Sequence, residues 1–138
     1  MIKLFLALFV LAGLATFLSP AIAAEPELKF ELYKDKANDY RWRLKNSDGA
    51  VVAVAATGHK QHADAKSGLE TFRKSGVSGD LRFDTFFDES KQYRWRLVTD
   101  KGETVAVSNG GFRVEADADR AIATLKIGVE KAGLVVLK

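Results

Sequence analysis

The sequence predicts an α+β fold of two tandem β-β-β-α units, with a closing strand at the C-terminus, that pool one sheet and one core. Three observations carry this prediction. The chain repeats itself at a constant offset of 53 residues, so that Phe30 aligns with Phe83, Trp42 with Trp95 and Gly49 with Gly102. Within each copy, short stretches alternate apolar and polar residues at the period of two expected of half-buried strands. Each copy then changes to the 3.6-residue period of an amphipathic helix.

The elements follow in order. Leu28 to Tyr33 alternates and reads as a first strand, and Lys34 to Asp39 is a polar turn. Tyr40-Arg41-Trp42-Arg43-Leu44, repeated as Tyr93 to Leu97, puts its aromatics and leucine on one face and its arginines on the other. Asp48-Gly49 and Lys101-Gly102 supply tight turns. Val51 to Ala55 and Thr104 to Ser108 form third strands, with Val52, Val54, Val105 and Val107 expected in the core. Gly58 and Gly111 mark a bend or a close backbone approach. A helix follows, with Ala65, Leu69 and Phe72 on one stripe, matched by Ala118, Ile122 and Leu125, and Val129 one turn further. Leu134 to Leu137 reads as a closing strand, whereas the equivalent stretch of the first copy, Val77 to Gly79, is too polar to assign. One unit of about 50 residues would be marginal alone. With each large buried apolar side chain contributing about 1.5–3 kcal/mol, two units pooling a core are not, so one compact domain with two halves is expected.

Residues 1–24 read as an address. Lys3 precedes an apolar run from Leu4 to Leu18, Ser19-Pro20 breaks it, and Ala21-Ile22-Ala23 forms an A-x-A site. This is the pattern of a secretory signal peptide cut near Ala23 or Ala24. The expected organisation is a signal peptide over 1–24, a first repeat over 25–79 and a second over 80–138. The expected location is the periplasm or the exterior, with no membrane span left after processing. Lys3 is the one charged residue removed, so the mature chain carries 20 basic and 18 acidic side chains. A net charge of that size does not argue for nucleic-acid or membrane binding. With no cysteine there is no disulfide framework, thiolate nucleophile or cysteine-based zinc site.

The YRWRL strand, the D-G turn, the V-A strand, the glycine bend and the G-L-E-T-F helix together resemble the YegP-like family across the whole mature chain. The resemblance implies an α+β fold in which tandem β3-α-β repeats form one antiparallel sheet with two helices packed on one face, and C-terminal strands are exchanged, so that the closing strand of one repeat completes the sheet of the other. It names no catalytic residues. This chain departs from the family pattern at Gly58-His59 and Gly111-Phe112, where Gly-Tyr is usual. It departs again at Gln61-His62 and Val114-Glu115, in place of a Ser-Lys pair.

Strand parity places Lys29, Glu31, Arg41 and Arg43, with Arg82, Asp84, Arg94 and Arg96, on the sheet face away from the helices. Tyr33 and Phe86 share that face. Arg41, Arg43, Arg94 and Arg96, with Tyr33 and Phe86, are therefore the candidate ligand-binding set, since a planar guanidinium binds phosphate, carboxylate or sulfate bidentately. The alternative is a solvated face whose arginines pair across strands with Glu31 and Asp84. Tyr40, Trp42, Tyr93 and Trp95 could form a stacking platform for sugars, but their parity with Leu44 and Leu97 points to core packing. His59 and His62 have a spacing that can hold a metal, yet Phe112 and Glu115 stand there in the second copy, so no metal site and no cofactor is expected. No nucleophile elbow or phosphate-cradling loop is present. The reading is an exported, monomeric, noncatalytic binding module that recognises an anionic small molecule or glycan. A structural or protein-interaction role in the cell envelope is the alternative, and a small hydrolase is a distant third.

Overall fold

The computed structural model describes residues 27–138. The leader and its expected cut lie outside the described residues. Six strands come in two sets of three: β1 (Lys29–Lys34), β2 (Tyr40–Lys45) and β3 (Val51–Ala55), then β4 (Leu81–Phe87), β5 (Tyr93–Thr99) and β6 (Thr104–Ser108). Helix α1 (His62–Arg73) follows β3, and α2 (Glu115–Gly128) follows β6. A single 3₁₀ turn, Val129–Lys131, leads into β7 (Gly133–Val136).

All seven strands form one sheet in the order β4-β5-β6-β3-β2-β1-β7. The repeats meet at its centre, where Val54 lies opposite Val107 and Ala55 opposite Ala106 in antiparallel register. The pairing departs from the expected antiparallel pattern once, because β7 runs parallel to β1, with Phe30 opposite Leu134. The end of the second repeat thus closes the sheet of the first, as the resemblance implied. Gly133 N–H donates to Leu28 O at 3.0 Å and Leu137 N–H to Leu32 O at 2.9 Å. Arg73, in the last turn of α1, fastens this segment by donating to the carbonyl of Ala132.

No second closing strand is present among the described residues. At the repeat offset, Gly133–Val136 corresponds to residues 80–83, which open β4. The chain spends that stretch on starting the second repeat, so β4 remains an edge.

The helices cover one face, α1 over β1, β2, β3 and β6, and α2 over β4 and β5. Phe30, Trp42, Leu44, Leu69, Phe72, Trp95, Leu97, Leu125 and Val129 are buried between the layers. Phe72 is central to them. Its ring stacks on Trp42 at 5.3 Å and on Trp95 at 6.1 Å, in near-parallel planes. Phe30 and Phe83 meet it edge-on.

That stack corrects the phase expected for the third strands. Ala53, Ala55, Ala106 and Ser108 are buried on the helix side, while Val54 and Val107 face the other way. Trp42 and Trp95 stand on β2 and β5 with Phe72 between them, so the rings fill the space above β3 and β6, and small residues must lie beneath. Val52 and Val105 keep partial contact with the core near irregularities in the β2–β3 and β5–β6 registers. Gly58 is a close approach, as its pattern suggested: a Cβ there would stand 2.8 Å from Asp39 Cβ. Gly49 and Gly102 take positive φ in the turns, at 81° and 84°.

Candidate functional site

The helix-free face is built by strand parity. Reading across the sheet, Glu31 pairs with Arg43, Arg43 with Val54, Val54 with Val107, Val107 with Arg96, and Arg96 with Asp84. The result is a mirrored row: acid, arginine and valine, then valine, arginine and acid. One register step along, Tyr33 lies opposite Arg41 and Phe86 opposite Arg94. The six candidate residues lie on this face as two sets of three, Tyr33, Arg41 and Arg43 on one side and Phe86, Arg94 and Arg96 on the other.

The arginines already have partners. Arg43 donates from Nε to Glu31 at 2.6 Å, and Lys45 reaches the same carboxylate at 3.1 Å. The Arg43 hydrogen bond is the main cause that holds the Glu31 carboxyl below the ordinary glutamate range. Arg41 donates to Asp35 at 2.7 Å. Backbone donation from Asp39 and then the bond to Arg41 lower the Asp35 pKa. In the second repeat Asp84 takes its closest cation from Arg82 at 2.8 Å, which lowers its pKa, and Arg96 stands at 3.9 Å. Arg94 is turned to the backbone, donating from Nη2 to Ser108 O at 2.6 Å. The cross-strand pairing weighed as an alternative is thus in place, most fully in the first repeat.

In each repeat one guanidinium of this face also lies over a ring. Arg43 lies over the Tyr33 ring at 4.7 Å and Arg96 over Phe86 at 5.3 Å. Each ring restrains a guanidinium, which reduces the entropy lost when a ligand binds. The recorded bond of Arg43 uses Nε alone, and Arg96 makes no hydrogen bond within 3.5 Å among the described residues. Partly exposed ion pairs of this kind contribute about 0–1 kcal/mol. Arg43 and Arg96 are three strand spacings apart, about 14 Å. The two arginine–ring pairs therefore stand apart, with an apolar Val54–Val107 strip between them.

Sequence reasoning missed that strip, the Asp35 partner of Arg41 and the backbone anchoring of Arg94. In V-V-A-V-A both parities are apolar, so alternation alone could not choose which faced inward. Trp42 and Trp95 are buried, as their parity indicated. Tyr40 and Tyr93 are half-buried and bridge to His59 and Phe112 through backbone hydrogen bonds. His62 sits edge-on to the Tyr40 ring at 5.5 Å. Among the described residues no group of three or more His, Asp or Glu side chains converges as a metal site, and no helix is long and apolar enough to cross a membrane.

Comparison with known proteins places these repeats. The domain of unknown function DUF1508 matches residues 35–81 and again 88–134. A UPF0339 protein from the 5′ region of the ptx operon of Stutzerimonas stutzeri is 28% identical over 97 residues, covering 70% of this chain and 85% of the relative. A UPF0339 protein of Treponema denticola is 47% identical over 47 residues, covering 34% of this chain and 79% of its own length. In fold, the solution structure of YegP from E. coli, a protein of unknown function, superposes with a TM-score of 0.70 at 16% identity, covering 80% of this chain and 92% of that one. A UPF0339 protein of Shewanella oneidensis gives 0.69 at 15% identity, with the same coverage.

Proposed function

The chain belongs to the YegP-like DUF1508 family as a tandem member, and from that premise we propose that it is an exported, noncatalytic binding module whose helix-free face recognises anionic groups. The observation that supports this reading is the mirrored row across the sheet. It holds Arg43 and Arg96 over aromatic rings on either side of an apolar strip. A ligand with two phosphate, sulfate or carboxylate groups about 14 Å apart, such as an acidic glycan, would engage both arginine–ring pairs. Binding would exchange the Glu31 and Asp84 contacts for bidentate ones. The protein acts in the periplasm or outside the cell, a location supported by the leader pattern of residues 1–24, and as a monomer, because both repeats of the sheet come from one chain.

The test is a thermal-shift screen of residues 24–138 against phosphate, nucleotides, and acidic and sulfated glycans. A ligand at 100 times its Kd stabilises by about 2.7 kcal/mol. The expected hit weakens with added salt and is lost when Arg41, Arg43, Arg94 and Arg96 are replaced by Gln. Silence across the panel, or a hit indifferent to those replacements, would overturn the reading.

A second reading, a protein-interaction role in the envelope, is favoured by β4. This seven-residue strand has a hydrogen-bonded neighbour on one side, while the equivalent edge of β1 is covered by β7. Strand addition at that edge would be insensitive to salt, which separates the two readings.

A further inference from the structure

The pseudo-equivalent repeats carry two pseudo-equivalent clefts, and these have diverged. Each lies between a helix, the loop before it, and the third strand of the other repeat. The second repeat's cleft, about 360 Å³, is walled by Leu28, Val52, Phe112, Ala121 and Leu125. The first repeat's cleft, about 530 Å³, is walled by Trp42, His59, Asp64, Ser67, Thr71 and Glu103. At the repeat offset, His59 replaces Phe112, Gly68 replaces Ala121 and Thr104 replaces Val51.

Gly68 is the informative exchange. It sits inside α1, where glycine costs about 1 kcal/mol relative to alanine, and α2 has alanine at that place. A local rule broken in one repeat and kept in the other marks a position held for another reason. A Cβ at Gly68 would stand 3.3 Å from Trp42 Nε1. The absent methyl therefore opens the indole N–H to the cleft. Trp42 is 1% exposed and lines the cleft, and its Nε1 is not among the sealed, partnerless side-chain atoms of the described residues. In the second repeat Trp95 Nε1 is sealed in the core without a partner.

We propose that the cleft of the first repeat binds a small neutral polyhydroxylated ligand, a mono- or disaccharide unit, with Trp42 Nε1–H donating to one of its oxygens. The lining dictates the class. Asp64 and Glu103 bring negative charge and no Lys or Arg lines the cleft, which excludes an anion. A metal ion or ammonium group could satisfy the carboxylates but offers the indole N–H no acceptor. Hydroxyl groups donate and accept, and so match the indole, the carboxylates and the Ser67 and Thr71 hydroxyls together. The volume lies within the range of about 300–1,000 Å³ usual for small-ligand sites. This site is separate from the arginine face, which lies across the sheet, and does not depend on it.

The experiment is an ¹⁵N-NMR titration of residues 24–138, which hold every strand and both helices, with glucose, N-acetylglucosamine and its β-1,4 disaccharide up to tens of millimolar. The expected result is a saturable shift of the Trp42 indole N–H while that of Trp95 stays fixed. Gly68→Ala, which installs the residue α2 already tolerates, weakens binding by about tenfold or more. Thr104→Val, which installs the residue found in the other repeat, is the second variant and keeps the test decisive if the first does not fold. No saturable Trp42 shift with any of the three probes would overturn the proposal. So would a shift that both variants leave unchanged.

Discussion

Replacing Phe72 with alanine tests whether two repeats have become one folding unit. The ring is fully buried and stacks between Trp42 of one repeat and Trp95 of the other, at 5.3 and 6.1 Å. Phe30 and Phe83 close on its edges at 5.9 and 6.3 Å. Phenylalanine-to-alanine changes in cores cost about 3–5 kcal/mol. The four flanking rings stand on strands from both halves of the sheet and cannot collapse inward together, so a loss of about 4 kcal/mol is expected. A domain of this size has about 5–15 kcal/mol in total, and with a urea slope of about 1–3 kcal/mol per molar the midpoint falls by about 2 M. Urea unfolding followed by tryptophan fluorescence and by far-UV circular dichroism should give one coincident transition for both proteins. Val77→Ala, at a position 70% exposed, should change stability by less than about 0.5 kcal/mol. A Phe72→Ala loss below about 1.5 kcal/mol, or two separate transitions in the wild type, would refute the shared core.

Two further outcomes follow from the same contacts. Glu31 has its pKa lowered chiefly by the Arg43 hydrogen bond, so its ionised form contributes stability above the ordinary value near 4.5, and that contribution is lost as pH falls through the lowered value. Glu31→Gln should therefore be less stable than wild type at pH 7 and converge with it in acid, as read by urea midpoints across the pH range. Ending the chain at Ala132 removes β7 and bares the β1 edge; the truncated protein should unfold at lower urea and associate with rising concentration in sedimentation, since an unpaired edge templates pairing.

Much of the fold was legible because the sequence states it twice. Period-two alternation and the repeated YRWRL strand define the sheet, and the Ala65-Leu69-Phe72 stripe defines the helix face. Three features needed tertiary information. The inward phase of β3 and β6 depended on the volume of the Trp42-Phe72-Trp95 stack, which strand alternation in V-V-A-V-A does not encode. The parallel pairing of β7 depended on which edge remained open. The cleft of the first repeat depended on Gly68 lying against Trp42, a contact between residues 26 positions apart. For the site, parity assigned Arg41, Arg43, Arg94 and Arg96 to one face together with Tyr33 and Phe86. Their division into two sets depended on the strand order, which places β3 and β6 between the two YRWRL strands.

The binding role proposed for the helix-free face is put to the test by an ¹⁵N-NMR titration of residues 24–138 with a heparin-derived sulfated tetrasaccharide at low salt. Saturable shifts are expected at the Arg43 and Arg96 Nε–H groups and at the Val54 and Val107 amides, reversed by added salt, with Trp95 unmoved. Shifts confined to β4, or none at the arginines at saturating tetrasaccharide, would contradict it.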